Sequence, residues 1–242
     1  MTNIVITGGT SGVGLAFAKA LNSFNNKIFI IGRNKQKGQA VEKQLGNTVE
    51  FLESDLTNTE ARISVLTTLK ERVGHIDVLI HSAGVWPQTA LENIEINLSI
   101  HYELTKLLIP IMTNGHIFII TGNPSAIRRL PIWEVQSNSV LRAGWALTHK
   151  TLLMVYLSET LKSKKITVNA FFPGDIHSDL MPYTRSLPNT DIPIANQLIL
   201  KQIKYKNTGT FYDNRGNIIK LDSHKYNVNQ AQIILSKYLK LR

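Results

Sequence analysis

The sequence predicts a single α/β domain in which a doubly wound parallel sheet lies between two layers of helices. Short runs rich in Ile, Val and Phe alternate with longer segments of helical periodicity, and such β-α repeats build parallel sheets. The short runs are apolar throughout, which is typical of strands that helices cover on both faces. A chain of 242 residues is long enough for one such domain. We therefore predict a three-layer α-β-α fold over residues 1–242.

Six strands, each followed by a more polar segment, make up the predicted sheet. They lie at residues 4–7, 27–31, 49–52, 78–82, 116–121 and 166–172. Residues 210–212 are a candidate for a further strand, and residues 229–239 have the periodicity of a closing amphipathic helix. The irregular segment 174–195 follows the sixth strand. Because such sheets bind ligands beyond the carboxyl ends of their strands, we expect this segment to be a substrate loop.

Composition narrows the classes of function. The chain has no cysteine, which excludes disulfides and thiolate chemistry, and we predict no metal site. Its net charge is +10, which could indicate nucleic-acid binding, but Lys and Arg are spread along the chain. Nucleic-acid binding is therefore weaker than the two functional hypotheses that are developed below. No apolar run approaches the roughly 18 residues that span a membrane. Since the first strand begins just behind Met1, we expect no signal peptide and a cytoplasmic protein with no membrane partner.

A glycine-rich segment, Thr7–Gly14, joins the first strand to the first helix. Gly8 allows a tight turn, Gly12 lets the backbone approach a pyrophosphate, and Gly14 lets the helix pack closely on the strand. Backbone N–H groups and the helix dipole attract phosphate at such a turn. The segment therefore predicts a Rossmann-type dinucleotide site, in which the remaining contacts come from Thr10, Ser11 and Val13.

The residue after the second strand indicates which dinucleotide binds. A site selective for NAD usually presents an acidic residue there to the ribose 2′-hydroxyl. This chain has Arg33, and Lys35 and Lys37 follow it. A guanidinium suits a 2′-phosphate, so the sequence favours NADP(H) over NAD(H).

Four motifs together resemble the short-chain dehydrogenase/reductase family along nearly the whole chain: Thr7–Gly14, Asp55-Leu56, Ser82-Ala83-Gly84 and Pro173-Gly174. The resemblance is closest to the branch of the retinol dehydrogenases and the WW-domain oxidoreductase. Three features carry that part of the resemblance, namely Arg33, a long insertion after the fifth strand, and Gly209–Tyr212 followed by a helix.

The resemblance implies a role for several positions along the cofactor. Asp55, beside Leu56, would bind the adenine amino group, and Ala83 and Gly84, after Ser82, would let the backbone lie against a ribose. Ile176 and Ser178, after Pro173-Gly174, would contact the nicotinamide carboxamide. His81 stands where the family usually has an asparagine, and we expect it to be packed at the strand end.

The catalytic pattern of the family is only half present. Members use an Asn, a Ser, a Tyr and a Lys, and the Tyr exchanges a proton with the substrate. Asn97 and Lys150 fit the Asn and Lys positions, but the Tyr position holds Ala146 and the Ser position holds Gly122. The candidates for a substitute proton donor are Thr121, Ser125, His149 and Tyr183.

Two functional hypotheses stay open beside the nucleic-acid one. The favoured hypothesis is an NADP(H)-dependent oxidoreductase that acts on a small-molecule carbonyl or alcohol with a non-standard proton donor. The alternative is a catalytically silent NADP(H)-binding pseudoenzyme, used for protein interaction or redox sensing. The resemblance also makes a homodimer an expectation, with the helices around Asn97 and Lys150 paired.

Overall fold

A computed structural model describes residues 1–23, 25–197, 199 and 206–241. The strands are β1 (Thr2–Thr7), β2 (Asn26–Gly32), β3 (Val49–Glu53), β4 (Val78–His81), β5 (His116–Ile120), β6 (Thr167–Phe171), β7 (Phe211–Tyr212) and β8 (Ile218–Ile219). They form one sheet in the order β3-β2-β1-β4-β5-β6-β7-β8. All neighbouring pairs are parallel except β7 and β8, which are antiparallel. The predicted doubly wound parallel sheet is confirmed.

The helices of the described residues include α1 (Gly12–Leu21), α2 (Lys35–Leu45), α3 (Thr59–Arg72), α4 (Ala90–Ile94), α5 (Ile100–Leu108), α6 (Pro124–Arg129), α7 (Ser139–Thr160), α8 (Pro182–Arg185) and α9 (Val228–Leu235). A π-helical turn at Glu95–Ser99 joins α4 to α5. Within the described part of the chain, no helix is both long and apolar enough to cross a membrane.

Two hydrophobic clusters, one on each face of the sheet, hold the layers together. Along β1, Ile4 and Ile6 point into one cluster and Val5 into the other, and all three are fully buried. The first cluster takes in α1, and the second takes in α5 and α7. Successive strand residues point to opposite faces, so an uninterrupted apolar strand is what a sheet covered on both faces requires.

The predicted elements agree with the structure, with four differences. Each of the six predicted strands is present with ends shifted by no more than two residues, and residues 211–212 confirm the seventh. The β8 strand was not predicted. Helix α1 begins at Gly12, inside the glycine-rich turn, and α9 ends at Leu235, four residues before the predicted end. The segment 174–195 carries the short helix α8.

The strand order places a crevice at one edge of the sheet. β1 lies between β2 and β4, and Thr7 at the end of β1 is level with His81 at the end of β4. Helix α1, which follows β1, and helix α5, which follows β4, pack on opposite faces of the sheet. Ligands bind in such crevices at the carboxyl ends of the strands.

Candidate functional site

A cavity of about 960 Å³ lies at the carboxyl ends of β1, β2, β4 and β5. Arg33 and Asp55 line one end of it, and Asn97, Ala146 and Lys150 line the other. Most of the predicted cofactor residues line this cavity: Gly8, Thr10, Ser11, Gly12, Val13, Arg33, Asp55, Leu56, Ser82, Ala83, Gly84, Lys150 and Ser178. The structure thus brings residues from six separate segments of the chain to one cavity.

The glycine-rich turn is shaped by close backbone contacts. Gly8 has φ +67°, and a Cβ on it would lie 2.9 Å from the Cα of Ala83. A Cβ on Gly14 would lie only 2.3 Å from the carbonyl oxygen of Gly8. The Thr7 hydroxyl accepts hydrogen bonds from the N–H groups of Ser82 and Ala83, each at 3.1 Å. Gly14 therefore packs against the backbone of the turn on the side away from the cavity, whereas Gly8 lines the cavity.

The cavity end formed by β2 and β3 is basic. Arg33 lines it in an exposed position, and Lys37 lies one turn into α2. Lys37 Nζ is 3.4 Å from Asp179 in the segment after β6. Asp55 also lines this end, and its Oδ1 accepts hydrogen bonds from the backbone N–H and the hydroxyl of Thr57.

Asn97 lies in the π-helical turn, and its side chain binds the backbone of Val85 at the opposite end of the cavity. Its Oδ1 accepts a hydrogen bond from the N–H of Val85, and its Nδ2 donates to the Val85 carbonyl, both at 3.0 Å. The same Nδ2 donates to Asn93 Oδ1, and Asn93 Nδ2 in turn donates to Gln136 and to the Arg142 carbonyl. π-Helical turns often mark functional sites. Asn93 and Gln136 are not predictable from the sequence, since no motif connects positions 43 residues apart.

Lys150 reaches the cavity from α7 with few partners. Its residue is 9% exposed, and its Nζ donates to the Ala83 carbonyl at 3.5 Å. Burial lowers the pKa of Lys150 from 10.5 to about 8, because an ammonium in an apolar wall loses solvation.

Both Gly122 and Ala146, the two positions at which the resemblance implies hydroxyl groups, lie beside Leu147. Ala146 is one turn before Lys150 and lines the cavity. A Cβ on Gly122 would lie 2.5 Å from Cδ2 of Leu147, so the Leu147 side chain already fills the space beside Gly122. The Thr121 hydroxyl lines the cavity but donates to the Leu147 carbonyl at 3.1 Å. Thr121 is therefore engaged with α7.

Buried histidines surround this end of the cavity. His81 is completely buried, as expected for a packed strand-end residue, and its Nε2 is 2.8 Å from the Thr105 hydroxyl. Its Nδ1 is 3.3 Å from Nδ1 of His101. Burial, reinforced by the charge of Lys150, lowers the pKa of His81 to about 3 and that of His101 well below 6.5. Both rings are therefore neutral near pH 7.

The ring of His149 faces away from the cavity wall. It stacks on Trp145 at 3.8 Å between ring centroids and meets the edge of Tyr238, beyond α9, at 5.4 Å. Burial lowers the pKa of His149 to about 4. The position one residue before Lys150 thus packs the C-terminal segment onto α7.

Besides Gly14 and His149, five predicted site residues do not line the cavity. Ser125 is exposed on α6, and Tyr183 is 57% exposed on α8, so neither hydroxyl reaches the cavity in this structure. Ile176 is buried in the α1-side cluster, and Pro173 and Gly174 lie outside the wall. The side chains of the segment 174–195 that do line it are Ser178, Asp179, Leu180, Met181 and Arg185.

Apolar residues that were not singled out from the sequence also line the cavity. They are Val85, Trp86, Pro87, Ile96, Ile100, Ala143, Leu147, Leu180 and Met181. Two signals in the sequence point to them, because Val85–Pro87 directly follow Gly84 and Leu180–Met181 directly follow the predicted contact Ser178.

Known proteins resemble the chain in both sequence and fold. The uncharacterized oxidoreductase YgcW of Escherichia coli is 27% identical over 96% of this chain and 89% of its own length. Human retinol dehydrogenase 11 is 24% identical over 75% of this chain and 63% of its own length. Among solved structures, the Pseudomonas aeruginosa RhlG/NADP active-site complex has a TM-score of 0.69 at 16% identity, over 88% of this chain and 94% of that one.

The family model described as short chain dehydrogenase matches residues 2–188. That range contains the glycine-rich turn and the cavity wall described above, and it is more than half of the chain. The chain belongs to the short-chain dehydrogenase/reductase family of oxidoreductases.

Proposed function

We propose that this chain is an NADP(H)-dependent oxidoreductase that interconverts a carbonyl compound and its alcohol by hydride transfer. The observation that carries the proposal is the single cavity that runs from Arg33 to Lys150. Its volume of about 960 Å³ suits a dinucleotide together with a small substrate. We also propose that the protein acts in the cytoplasm.

The residues of the cavity fit such a cofactor along its length. Gly8 and Gly12 have positive φ, and a Cβ on them would lie 2.9 Å from Ala83 Cα and 2.8 Å from Ser178 Cβ. Glycine therefore permits a tight turn whose backbone N–H groups can face a pyrophosphate. The Arg33 guanidinium lines the cavity, and a guanidinium can bind a ribose 2′-phosphate with two hydrogen bonds. The solved relative RhlG is a complex with NADP, which agrees with this assignment.

The opposite end would hold the nicotinamide and the substrate. Asn97 keeps Val85 in place, and Lys150 supplies ammonium donors for the ribose hydroxyls. The bound cofactor would supply the hydride. The part of α7 that precedes Lys150 presents apolar side chains to the cavity, namely Ala143, Ala146 and Leu147. This lining favours carbonyl compounds with apolar substituents over anionic or polyhydroxylated ones.

The alternative function is a pseudoenzyme that binds NADP(H) without turnover. It is favoured by one observation, the replacement of both family hydroxyls by Ala146 and by Gly122 packed against Leu147. Neither position belongs to the cofactor end of the cavity, so the protein can bind NADP(H) under either function.

The test measures NADPH and NADH affinity by fluorescence titration, followed by NADPH consumption over a panel of aldehydes and ketones. We expect NADPH to bind more tightly than NADH and to be consumed with apolar aldehydes. Arg33→Asp should weaken NADPH about 10- to 100-fold and NADH much less, since one charge-assisted contact is lost. Lys35→Asp is the matched control for charge. Tight NADPH binding without consumption supports the pseudoenzyme, and equal losses of NADPH and NADH refute the role of Arg33.

A further inference from the structure

We propose that the ammonium of Lys150 is itself the proton donor to the substrate oxygen, in the space that Ala146 leaves open. The inference rests on the proposed reductase function. It assigns Lys150 a direct role in addition to holding a ribose.

The balance of the reaction requires such a donor. When a carbonyl carbon accepts hydride from the dihydronicotinamide, the π electrons of the C=O bond move onto oxygen. That oxygen must then form an O–H bond, and in this step it would take a proton from Lys150 Nζ. The carbonyl compound is reduced to the alcohol, the dinucleotide is oxidised, and the neutral amine regains its proton from water.

The titratable groups of the cavity wall leave Lys150 as the candidate. The other charged residues that line the cavity within the described part of the chain belong to its basic end and to the segment after β6: Arg33, Lys37, Asp55, Asp179 and Arg185. Two hydroxyls close to α7 are engaged, since Thr121 donates to the Leu147 carbonyl and Thr151 does the same at 2.9 Å.

The geometry of α7 directs the ammonium to the required space. Residues four apart on a helix lie on the same face, so Lys150 and Ala146 both line the cavity. With only a methyl group at position 146, no aromatic ring separates the lysine from a substrate. Among the described residues, the Ala83 carbonyl at 3.5 Å is the hydrogen-bond partner of Nζ, so at least two N–H donors are available for a ligand.

The electrostatic surroundings favour release of the proton. The charge of Lys150 reaches two buried histidines, His81 on β4 and His101 on α5, and both are neutral. Burial lowers the pKa of Lys150 to about 8. An acid with a pKa near the working pH is both largely protonated and able to donate.

The experiment compares the intact chain with Lys150→Arg and Lys150→Met. Arginine keeps the positive charge and the ribose contacts, but its pKa is too high for donation. We expect Lys150→Arg to bind NADPH within about threefold of the natural chain and to lose about 100-fold or more in kcat with benzaldehyde. The kcat of the natural chain should fall as pH rises through about 8, and the variant should lack this decline. Lys150→Met, which has neither charge nor proton, should lose both binding and turnover.

A second readout does not depend on turnover. NMR of Cε-labelled lysine should show one resonance that titrates near pH 8 and is absent from Lys150→Arg. If Lys150→Arg keeps kcat and its pH dependence, the lysine is not the donor, although the proposed function stands. If the natural chain binds NADPH but consumes none, both the donor and the reductase function are refuted.

Discussion

Replacing Gly14 by alanine should disable dinucleotide binding from a position that does not line the cavity. The new Cβ would lie 2.3 Å from the Gly8 carbonyl oxygen and 2.7 Å from its carbon, whereas ordinary contacts begin at 3.4 Å. Because both neighbouring atoms are backbone, the turn itself must move by about 1 Å to relieve the clash. We expect a loss of about 1–3 kcal/mol in stability, as for other overpacked sites.

The displacement reaches the groups that should hold the pyrophosphate. Loss of one charge-assisted hydrogen bond costs about 1.5–3 kcal/mol, so NADPH affinity should fall at least about tenfold. The assay is a fluorescence titration with NADPH, together with thermal unfolding to measure stability. Gly46→Ala is the matched control: Gly46 has φ +82° with nothing within 4 Å of an added Cβ. It should lose stability through backbone strain and keep its affinity. Equal affinity losses in the two variants, or none in Gly14→Ala, would refute the reasoning.

Three further predictions concern the other end of the cavity and the core. Burial lowers the pKa values of His81, His116 and His149 to about 3 to 4, below the 6.5 of an unfolded chain. Unfolding therefore takes up protons, and the free energy of unfolding should fall as the pH falls from 6.5 to 4. At pH 5 the loss should reach about 2 kcal/mol per histidine. An unchanged denaturant midpoint between pH 7 and 5 would contradict this. Asn93→Ala removes the partner of one of the two N–H groups of Asn97 Nδ2, while the other keeps the Val85 carbonyl. It should cost about 1–3 kcal/mol in urea unfolding, against little for Asn47→Ala at an exposed position. Ala146→Tyr should raise kcat, and Ala146→Phe should abolish turnover without lowering the affinity for NADPH. Steady-state kinetics measures the first effect, and titration with NADPH measures the second. Similar kcat values for the two variants would show that the added hydroxyl has no role.

The fold was predictable because its signals are local. Each parallel strand is an uninterrupted apolar run, and the turn at Thr7–Gly14 places the cofactor site directly after β1. The β8 strand escaped prediction because it has only two residues, Ile218 and Ile219, and pairs through a turn. A signal was present in the sequence, since Asp213 caps that turn and Gly216 has φ +77°.

The candidate site was predictable only where backbone motifs define it. The amide chain from Asn97 through Asn93 to Gln136 depends on how α4 meets the segment before α7, which no spacing in the sequence reveals. Tyr183 was considered as a donor because its segment follows β6, yet side-chain direction on a four-residue helix depends on tertiary packing. Sequence patterns place a segment near the site, but they do not orient its side chains.

The contact between Gly122 and Leu147 also restricts the order in which substitutions can accumulate. A serine at 122 meets Leu147 carbons at 2.5 and 2.6 Å, so it needs either a rotated leucine or a smaller residue at 147. The reverse order meets no such obstacle, because a smaller side chain at 147 leaves only a local void. These two positions are therefore coupled, and a directed-evolution library that varies them one at a time would miss the combination that reintroduces a hydroxyl there.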